Sequence, residues 1–167
     1  MNDGLVKVLF VCMGNICRSP SGEGVFRKFV DDADHARKIE IDSAGTIGYH
    51  TGSPADSRMR LAARRRGFDL NSTARQVSVR DIAECDLIIA MDSDNLSALE
   101  TMAGGARGNI RMLGTYLPGV RGNTDAPSVP DPYYGGDAGF ESVLDMIERA
   151  CPAMLAHCLE LFGAKGR

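Results

Sequence analysis

Cys12 and Arg18 lie six positions apart, between an apolar run and a proline near the amino terminus. The run at 8–11 is rich in β-branched and aromatic side chains, which predicts a buried strand. Pro20 suits the first turn of a helix, where its missing N–H is not needed. The cysteine and the arginine therefore belong to a turn that joins a strand to a helix.

Such a turn is suited to binding a phosphate dianion. Its backbone N–H groups converge at the positive end of the helix dipole and form a concave nest for an anion. The same field favours the thiolate form of Cys12, which is the nucleophilic form. Arg18 supplies a planar fork of donors that matches two phosphate oxygens, and Ser19 supplies a hydroxyl close to the sulfur. These residues predict nucleophilic chemistry on a bound phosphate.

Asp131 is the second residue whose setting suggests chemistry, because a proline stands on each side of it. Pro132 restricts Asp131 to extended backbone angles and Pro130 stiffens the approach, so the carboxylate is presented with little freedom. The surrounding segment, 114–139, is rich in glycine and proline, and a structureless segment of that length is usually functional or disordered. On its own, Pro-Asp-Pro is an ordinary turn. Its interpretation as a catalytic acid depends on the phosphate-binding turn.

Length and composition bound the class of protein. With 167 residues, 44% of them hydrophobic, the chain has room for one well-buried core, and we expect a single domain over residues 1–167. A formal net charge of -3 gives no general attraction to nucleic acid or to an anionic membrane. No apolar stretch approaches the ~20 residues of a membrane span, and the amino terminus lacks the pattern of a signal peptide. The expected location is the cytoplasm.

The five cysteines show no spacing typical of a metal site, since none forms a Cys-x2-Cys pair. Cys151 and Cys158 share an apolar helical stripe and are predicted to lie in the core. Cys85 precedes the apolar run at 87–91 and is also expected to be structural. We therefore expect neither a metal nor another cofactor.

Strands and helices alternate along the chain. Strands are predicted near 5–11, 38–43, 86–91 and 109–113, and helices near 19–33, 55–66, 79–84, 93–103 and 138–162. This alternation predicts an α/β fold, a parallel sheet with helices on both faces, whose ligands bind beyond the carboxyl ends of the strands. Pro152 is expected to kink the last helix or to divide it in two.

The string Val-Cys-Met-Gly-Asn-Ile-Cys-Arg-Ser-Pro at 11–20 resembles the phosphate-binding loop of the low molecular weight protein tyrosine phosphatases. Asp-Pro-Tyr at 131–133 resembles their general-acid loop, and the segments 43–46, 74–76 and 91–95 also match in position. The resemblance covers nearly the whole chain. It implies a doubly wound, flavodoxin-like sheet of four parallel strands, and hydrolysis of phosphotyrosine.

The resemblance also implies roles for individual residues. Cys12 attacks phosphorus, Arg18 and the loop N–H groups hold the equatorial oxygens, and Asp131 protonates the leaving phenol. The residues expected to bind substrate are Met13, Gly14, Asn15, Ile16, Cys17, Ser19, Tyr49, Tyr133 and Tyr134. The expected partners are a phosphotyrosine-containing protein, of which a tyrosine kinase is one candidate, and inorganic phosphate as product, with no nucleic acid and no membrane.

One residue outside the phosphate-binding loop is expected to support it, and several positions differ from the residues usual in the family. Ser43 is expected to hydrogen-bond Asn15 and so brace the phosphate-binding loop. Ser72 stands where relatives often have histidine, and Tyr49 stands where many bacterial relatives have tryptophan; Tyr49 could also be an exposed loop aromatic. At 22 and 24, glycine replaces the more usual alanine, and each glycine should weaken the first helix by up to ~1 kcal/mol.

Two alternative functions remain open at this point. Thioredoxin-coupled arsenate reductases resemble the family and share the Cys-x5-Arg loop, but they need two further cysteines a few residues apart, and Cys85 has no such neighbour. A phosphotyrosine-binding or redox-sensing module without turnover would keep the pocket, although the presence of Cys12, Arg18 and Asp131 together argues for an enzyme.

Cys17 lies five residues after Cys12 in the same tight loop, which predicts a redox switch. The alternative is that Cys17 is only a small side chain packed under the loop. Oxidation of the Cys12 thiolate to sulfenic acid, followed by capture by the Cys17 thiol with loss of water, would form a reversible disulfide. After hydrogen peroxide treatment, dithiothreitol should restore more activity to the wild type than to Cys17→Ser. Equal recovery, with no linked peptide in mass spectrometry, would contradict the switch.

Overall fold

The computed structural model describes residues 4–167. Its strands are β1 (Val6–Cys12), β2 (Ile39–Gly45), β3 (Leu87–Ala90) and β4 (Ile110–Met112). Its α-helices are α1 (Arg18–Asp32), α2 (Ser57–Arg65), α3 (Val79–Glu84), α4 (Ser93–Ala103) and α5 (Asp137–Lys165), with a 3-10 turn at Leu113–Tyr116. Every strand and helix predicted from the sequence is present, and the element boundaries agree within three residues.

The four strands form one parallel sheet in the order β2-β1-β3-β4. The predicted doubly wound, flavodoxin-like arrangement is confirmed. The chain leaves β1 towards β2 on one side and later returns to β3 on the other side, so the carboxyl end of β1 is the point where strand order reverses. Crevices at such a point are the usual ligand sites of open α/β sheets, and Cys12 is the last residue of β1.

Alternate residues of β1 enter two hydrophobic cores, one on each face of the sheet. Val8 and Phe10 face the larger core, which α1, α2 and α5 complete. Leu9 and Val11 face the smaller core, which α3 and α4 complete. Because both faces are covered, β1 is apolar nearly throughout, as a central parallel strand requires.

Gly22 lets α1 pack closely on the sheet. A Cβ atom at this position would lie 2.5 Å from Cδ1 of Phe10 and 2.9 Å from Cε of Met91. Phe10 is fully buried and meets Phe26 of α1 edge to face, with ring centroids 5.8 Å apart. The expectation that this glycine only weakens the helix is therefore incomplete, because alanine would collide with the core.

Pro152 does not divide the last helix. Of the two outcomes expected from the sequence, a kink or a division, the division is wrong. α5 is one helix from Asp137 to Lys165, with Pro152 inside it. Pro152 is exposed, so the helical hydrogen bond that it removes lies on the side of the helix that faces away from the core. The neighbouring Cys151 and Met154 are fully buried and hold the helix against the sheet on both sides of the proline.

Cys151 and Cys158 lie in the larger core, with no exposed surface, as the apolar stripe predicted. Cys85 is half-buried beside the smaller core. Within residues 4–167, no helix combines the length and the apolar character needed to cross a membrane.

Gly22→Ala should destabilise the protein. Overpacking a core costs about 1–3 kcal/mol, which exceeds the ~1 kcal/mol that alanine gains as a helix former. Gly163 of α5 offers the matched control, because nothing lies within 4 Å of a Cβ built there. Urea denaturation should show a lower free energy of unfolding for Gly22→Ala and an equal or higher one for Gly163→Ala. A Gly22→Ala protein as stable as the wild type would contradict the close packing.

Candidate active site

The loop between β1 and α1 wraps around the sulfur of Cys12, which is 3% exposed. Asn15 adopts a left-handed conformation with φ of 58°, a region that asparagine tolerates better than most residues. This conformation turns its backbone N–H towards Cys12 Sγ at 3.3 Å. Ser19 Oγ lies 3.1 Å from the same sulfur. Two hydrogen-bonding groups therefore contact the sulfur and can stabilise its negative charge.

The side chain of Asn15 braces the loop from beneath. Its Nδ2 group donates to Ser19 Oγ at 2.7 Å and to Ser43 Oγ at 3.0 Å. Its Oδ1 atom accepts from the backbone N–H of Arg75 at 3.0 Å. The predicted hydrogen bond between Ser43 and Asn15 is confirmed. Buried polar groups with partners on three segments hold one conformation strongly, because any other would leave them unpaired.

The carboxyl end of β2 supports the loop through its backbone. Thr46 N donates to Cys12 O at 2.9 Å, and Ile47 N donates to Met13 O at 3.1 Å. A Cβ atom on Gly45 would lie 2.6 Å from Met13 O, so a larger residue there would push the loop away. The segment at 43–46 acts as the brace that the resemblance implied.

Arg18 is 3% exposed, and its guanidinium is held from two sides. Nη1 donates to Asp92 Oδ2 at 2.6 Å and to the carbonyl oxygen of Val129 at 3.1 Å. Nη2 lies 3.5 Å from Asp131 Oδ2. A buried guanidinium requires such partners, since an unpaired buried charge is very costly. Asp92 follows β3, so the arginine links the phosphate-binding loop to the next strand and to the acid loop.

The acid loop is anchored on both sides of Asp131. Val129 N donates to Met91 O at 2.8 Å, which ties the approach to the end of β3. Tyr133 N donates to Asp131 Oδ1 at 3.1 Å, a local turn that orients the carboxylate. The side chain of Asp131 is 40% exposed and reaches the cavity above Cys12.

These groups meet around a cavity of about 350 Å³. Its residues come from the phosphate-binding loop, the segment after β2 and the acid loop: Cys12, Met13, Gly14, Ile16, Cys17, Arg18, Ile47, Tyr49, His50, Asp131, Tyr133 and Tyr134. The floor is polar and the walls are largely apolar or aromatic. Such a cavity fits a flat aromatic group that carries an anion at its end.

The structure brings together most of the substrate-binding residues expected from the sequence. Tyr49 is both a wall of the cavity and a highly exposed loop aromatic, at 84% exposure. Asn15 and Ser19 are buried, and their side chains support the loop rather than line the cavity. Ile47 and His50 were missed. Their position beside Tyr49 was the only signal, and sequence spacing does not show which neighbours in a loop face inward.

Arg58 of α2 was also missed, although it joins the acid loop to the phosphate-binding loop. Its Nη2 group donates to Tyr133 O at 3.1 Å, and its guanidinium stacks over the rings of Tyr133 and Phe140 at 5.5 and 5.0 Å. The same guanidinium bonds both oxygens of Asp56, which lowers the pKa of that carboxyl. Asp56 N in turn donates to Ile16 O at 2.8 Å.

Cys17 lies in the wall of the cavity, and both Cys12 and Cys17 are free thiols. Burial raises the pKa of the Cys17 thiol to about 12. A protonated thiol is a poor nucleophile. Capture of an oxidised Cys12 would therefore require the loop to open, because opening would expose the Cys17 thiol to water and favour its thiolate. The Cys12–Cys17 disulfide stays a prediction.

The family model of low molecular weight phosphotyrosine protein phosphatase matches residues 7–161. A low molecular weight protein-tyrosine-phosphatase of Streptomyces coelicolor is 44% identical over 152 residues, which cover 90% of this chain and 92% of that protein. The human low molecular weight phosphotyrosine protein phosphatase is 40% identical, over 89% of this chain and 93% of the relative.

Solved structures of protein tyrosine phosphatases resemble this chain in fold. A protein tyrosine phosphatase from Entamoeba histolytica, crystallised with Hepes in its active site, matches with a TM-score of 0.84 and 39% identity, over 93% of this chain and 97% of that one. Fold and loop together define an α/β protein with a phosphate-binding loop at the switch point of its sheet. The chain belongs to the low molecular weight protein tyrosine phosphatase family.

Arg58→Lys should misplace the acid loop, because lysine keeps the charge but cannot form the fork with Asp56 or stack on Tyr133. A shift of the loop should lower kcat/KM by about tenfold for phenyl phosphate. The loss should be smaller for p-nitrophenyl phosphate, whose leaving group needs less help from an acid. Arg64→Lys, an exposed position on the same helix, is the matched control. Equal activity of Arg58→Lys and wild type on phenyl phosphate would rule out this positioning role.

Proposed function

We propose that the protein hydrolyses phosphotyrosine in proteins through a phosphocysteine intermediate. The observation that carries the proposal is the meeting of Cys12, Arg18 and Asp131 around one cavity, with family membership in support. The product is inorganic phosphate. A tyrosine kinase that carries phosphotyrosine is one candidate substrate, and residues 1–167 act as one catalytic domain.

In the first step the Cys12 thiolate attacks phosphorus in line with the phenolic oxygen. A sulfur–phosphorus bond forms as the phosphorus–oxygen bond breaks, and Asp131 gives its proton to the departing phenolate. Arg18 and the loop N–H groups hold the equatorial oxygens, where negative charge accumulates. The anchoring of Arg18 by Asp92 means that little reorganisation is needed when substrate arrives.

In the second step water attacks the phosphorus atom of phosphocysteine. Asp131, now a carboxylate, accepts the proton of the water, and the sulfur–phosphorus bond breaks to release phosphate. The electron pair returns to the sulfur of Cys12. Ser19 Oγ and the Asn15 N–H, 3.1 and 3.3 Å from that sulfur, stabilise the thiolate as it leaves.

The walls of the cavity favour an aryl phosphate over an alkyl phosphate. Met13, Tyr49 and Tyr133 come from three separate segments and surround the entrance. A phosphotyrosine side chain is long enough to pass between them and place its phosphate on the loop. Phosphoserine is shorter, and its peptide backbone would meet the walls before the phosphate reached Cys12.

The two alternative functions are not favoured. Arsenate reduction coupled to thioredoxin needs cysteines that pass a disulfide towards the surface, yet Cys151 and Cys158 are fully buried. Burial also raises the pKa of the Cys85 thiol to about 12, which suppresses its thiolate. A phosphotyrosine-binding module without turnover would not need Asp131 to lie beside Arg18 at the cavity.

Turnover of a phosphotyrosyl peptide in the presence of a chelator, measured beside arsenate reduction with thioredoxin, tests the function. We expect phosphate release from the peptide and none from the matching phosphoseryl peptide, with no arsenate reduction above background. Arsenate reduction without peptide hydrolysis would overturn the proposal, as would stoichiometric binding of the peptide without turnover.

Asp131→Asn should remove the acid while keeping the shape of the side chain. Turnover of phenyl phosphate should fall by ~10²–10⁴, the usual contribution of general acid–base catalysis. The loss in the first step should shrink for leaving groups of low pKa, which burst kinetics with a series of substituted phenyl phosphates would show. Asp125→Asn, an exposed position on the same loop, should leave turnover unchanged. A loss equal for all leaving groups would mean that Asp131 is structural.

A further inference from the structure

A second cavity, of about 400 Å³, lies along the outer side of the edge strand β4. It shares no residue with the cavity above Cys12, and β3 separates β4 from β1. Its lining includes three arginines, Arg107, Arg111 and Arg121. We name it the arginine cavity. Three guanidinium groups at one cavity are notable in a chain whose formal net charge is -3.

Among the described residues, none offers an acidic partner to any of the three arginines. Within residues 4–167 no carboxylate oxygen lies within 4.0 Å of their guanidinium nitrogens. The arginines that do form ion pairs are Arg18, Arg27, Arg58, Arg66, Arg75 and Arg80. Positively charged side chains that line one cavity favour an anion there.

Hydrogen bonds orient two of the three arginines and one wall of the cavity. Arg107 donates to Ala103 O at 2.9 Å and Arg111 donates to Gly108 O at 3.1 Å, so both side chains are oriented by the backbone. The opposite wall is the loop at 120–123. Asn123 holds it to β4, accepting from Met112 N at 2.9 Å and donating to Ile110 O at 3.2 Å. Preorganised walls reduce the entropy lost on binding.

We propose that the arginine cavity binds a small phosphate anion with two or more negative charges. Guanidinium groups match phosphate oxygens through paired N–H donors, which makes arginine the side chain best suited to this recognition. A cavity of about 400 Å³ has room for a diphosphate group as well as for a single phosphate.

Titration of ¹⁵N-labelled protein with inorganic pyrophosphate tests the site without using activity. The amide signals of Gly108 and Gly122 report on the arginine cavity, and that of Gly14 reports separately on the active site. We expect saturable shifts of Gly108 and Gly122 with one common dissociation constant. A second titration uses adenosine diphosphate. A lower dissociation constant for adenosine diphosphate than for pyrophosphate identifies a nucleotide as the ligand. Equal dissociation constants identify the free phosphate anion.

Variants decide whether the arginines carry the binding. Arg111→Gln with Arg121→Gln should weaken pyrophosphate binding at Gly108 and Gly122 at least tenfold, while signals elsewhere stay in place. Arg64→Gln with Arg65→Gln makes the same change of charge on α2 and should leave the affinity unchanged. Equal weakening by both pairs would mean a general charge effect and would overturn the site. Shifts that never saturate would overturn it too, as would binding of an acidic peptide but not of pyrophosphate.

Discussion

The sulfur of Cys12 is confined by a loop whose shape depends on one residue, Asn15. Its left-handed backbone turns an N–H towards the sulfur. Its side chain forms hydrogen bonds with groups on three other segments. Because Asn15, Ser19 and Ser43 are buried, a different loop conformation would leave several of their polar groups unpaired at once. The loop is therefore rigid before substrate binds, as a site that stabilises charge in a transition state should be.

The sheet places the remaining groups around this loop. The reversal of strand order after β1 brings the ends of β2 and β3 to either side of Cys12. The end of β2 supports the loop through Gly45, and the end of β3 supplies Asp92, which holds Arg18. Arg18 in turn contacts Asp131, so nucleophile, anion holder and acid form one connected unit. A substitution that moves one of the three side chains should therefore also shift the positions of the other two.

Much of this arrangement could be predicted, since local patterns carry it. Sequence patterns located every strand and α-helix that the structure describes, and the run from Cys12 to Pro20 identified the loop. Contacts between distant segments could not be predicted in the same way. Gly22 was judged by helix propensity, although its neighbour Phe10 decides its role. Arg58 gave no local signal, because its partner Tyr133 lies far along the chain. Pro152 was expected to kink the last helix or divide it in two, and tertiary packing keeps that helix undivided.

A phosphorylated cysteine is the species that the proposed chemistry requires, and rapid-quench mass spectrometry of the Cys12 peptide during turnover detects it most directly. Asp131→Asn, which lacks the base for the second step, should accumulate it with p-nitrophenyl phosphate. We expect one added phosphoryl group on Cys12 in this variant, formed as fast as nitrophenol is released, and none in Cys12→Ser. Nitrophenol release with no phosphorylated peptide, or with the phosphoryl group on another residue, would contradict the mechanism.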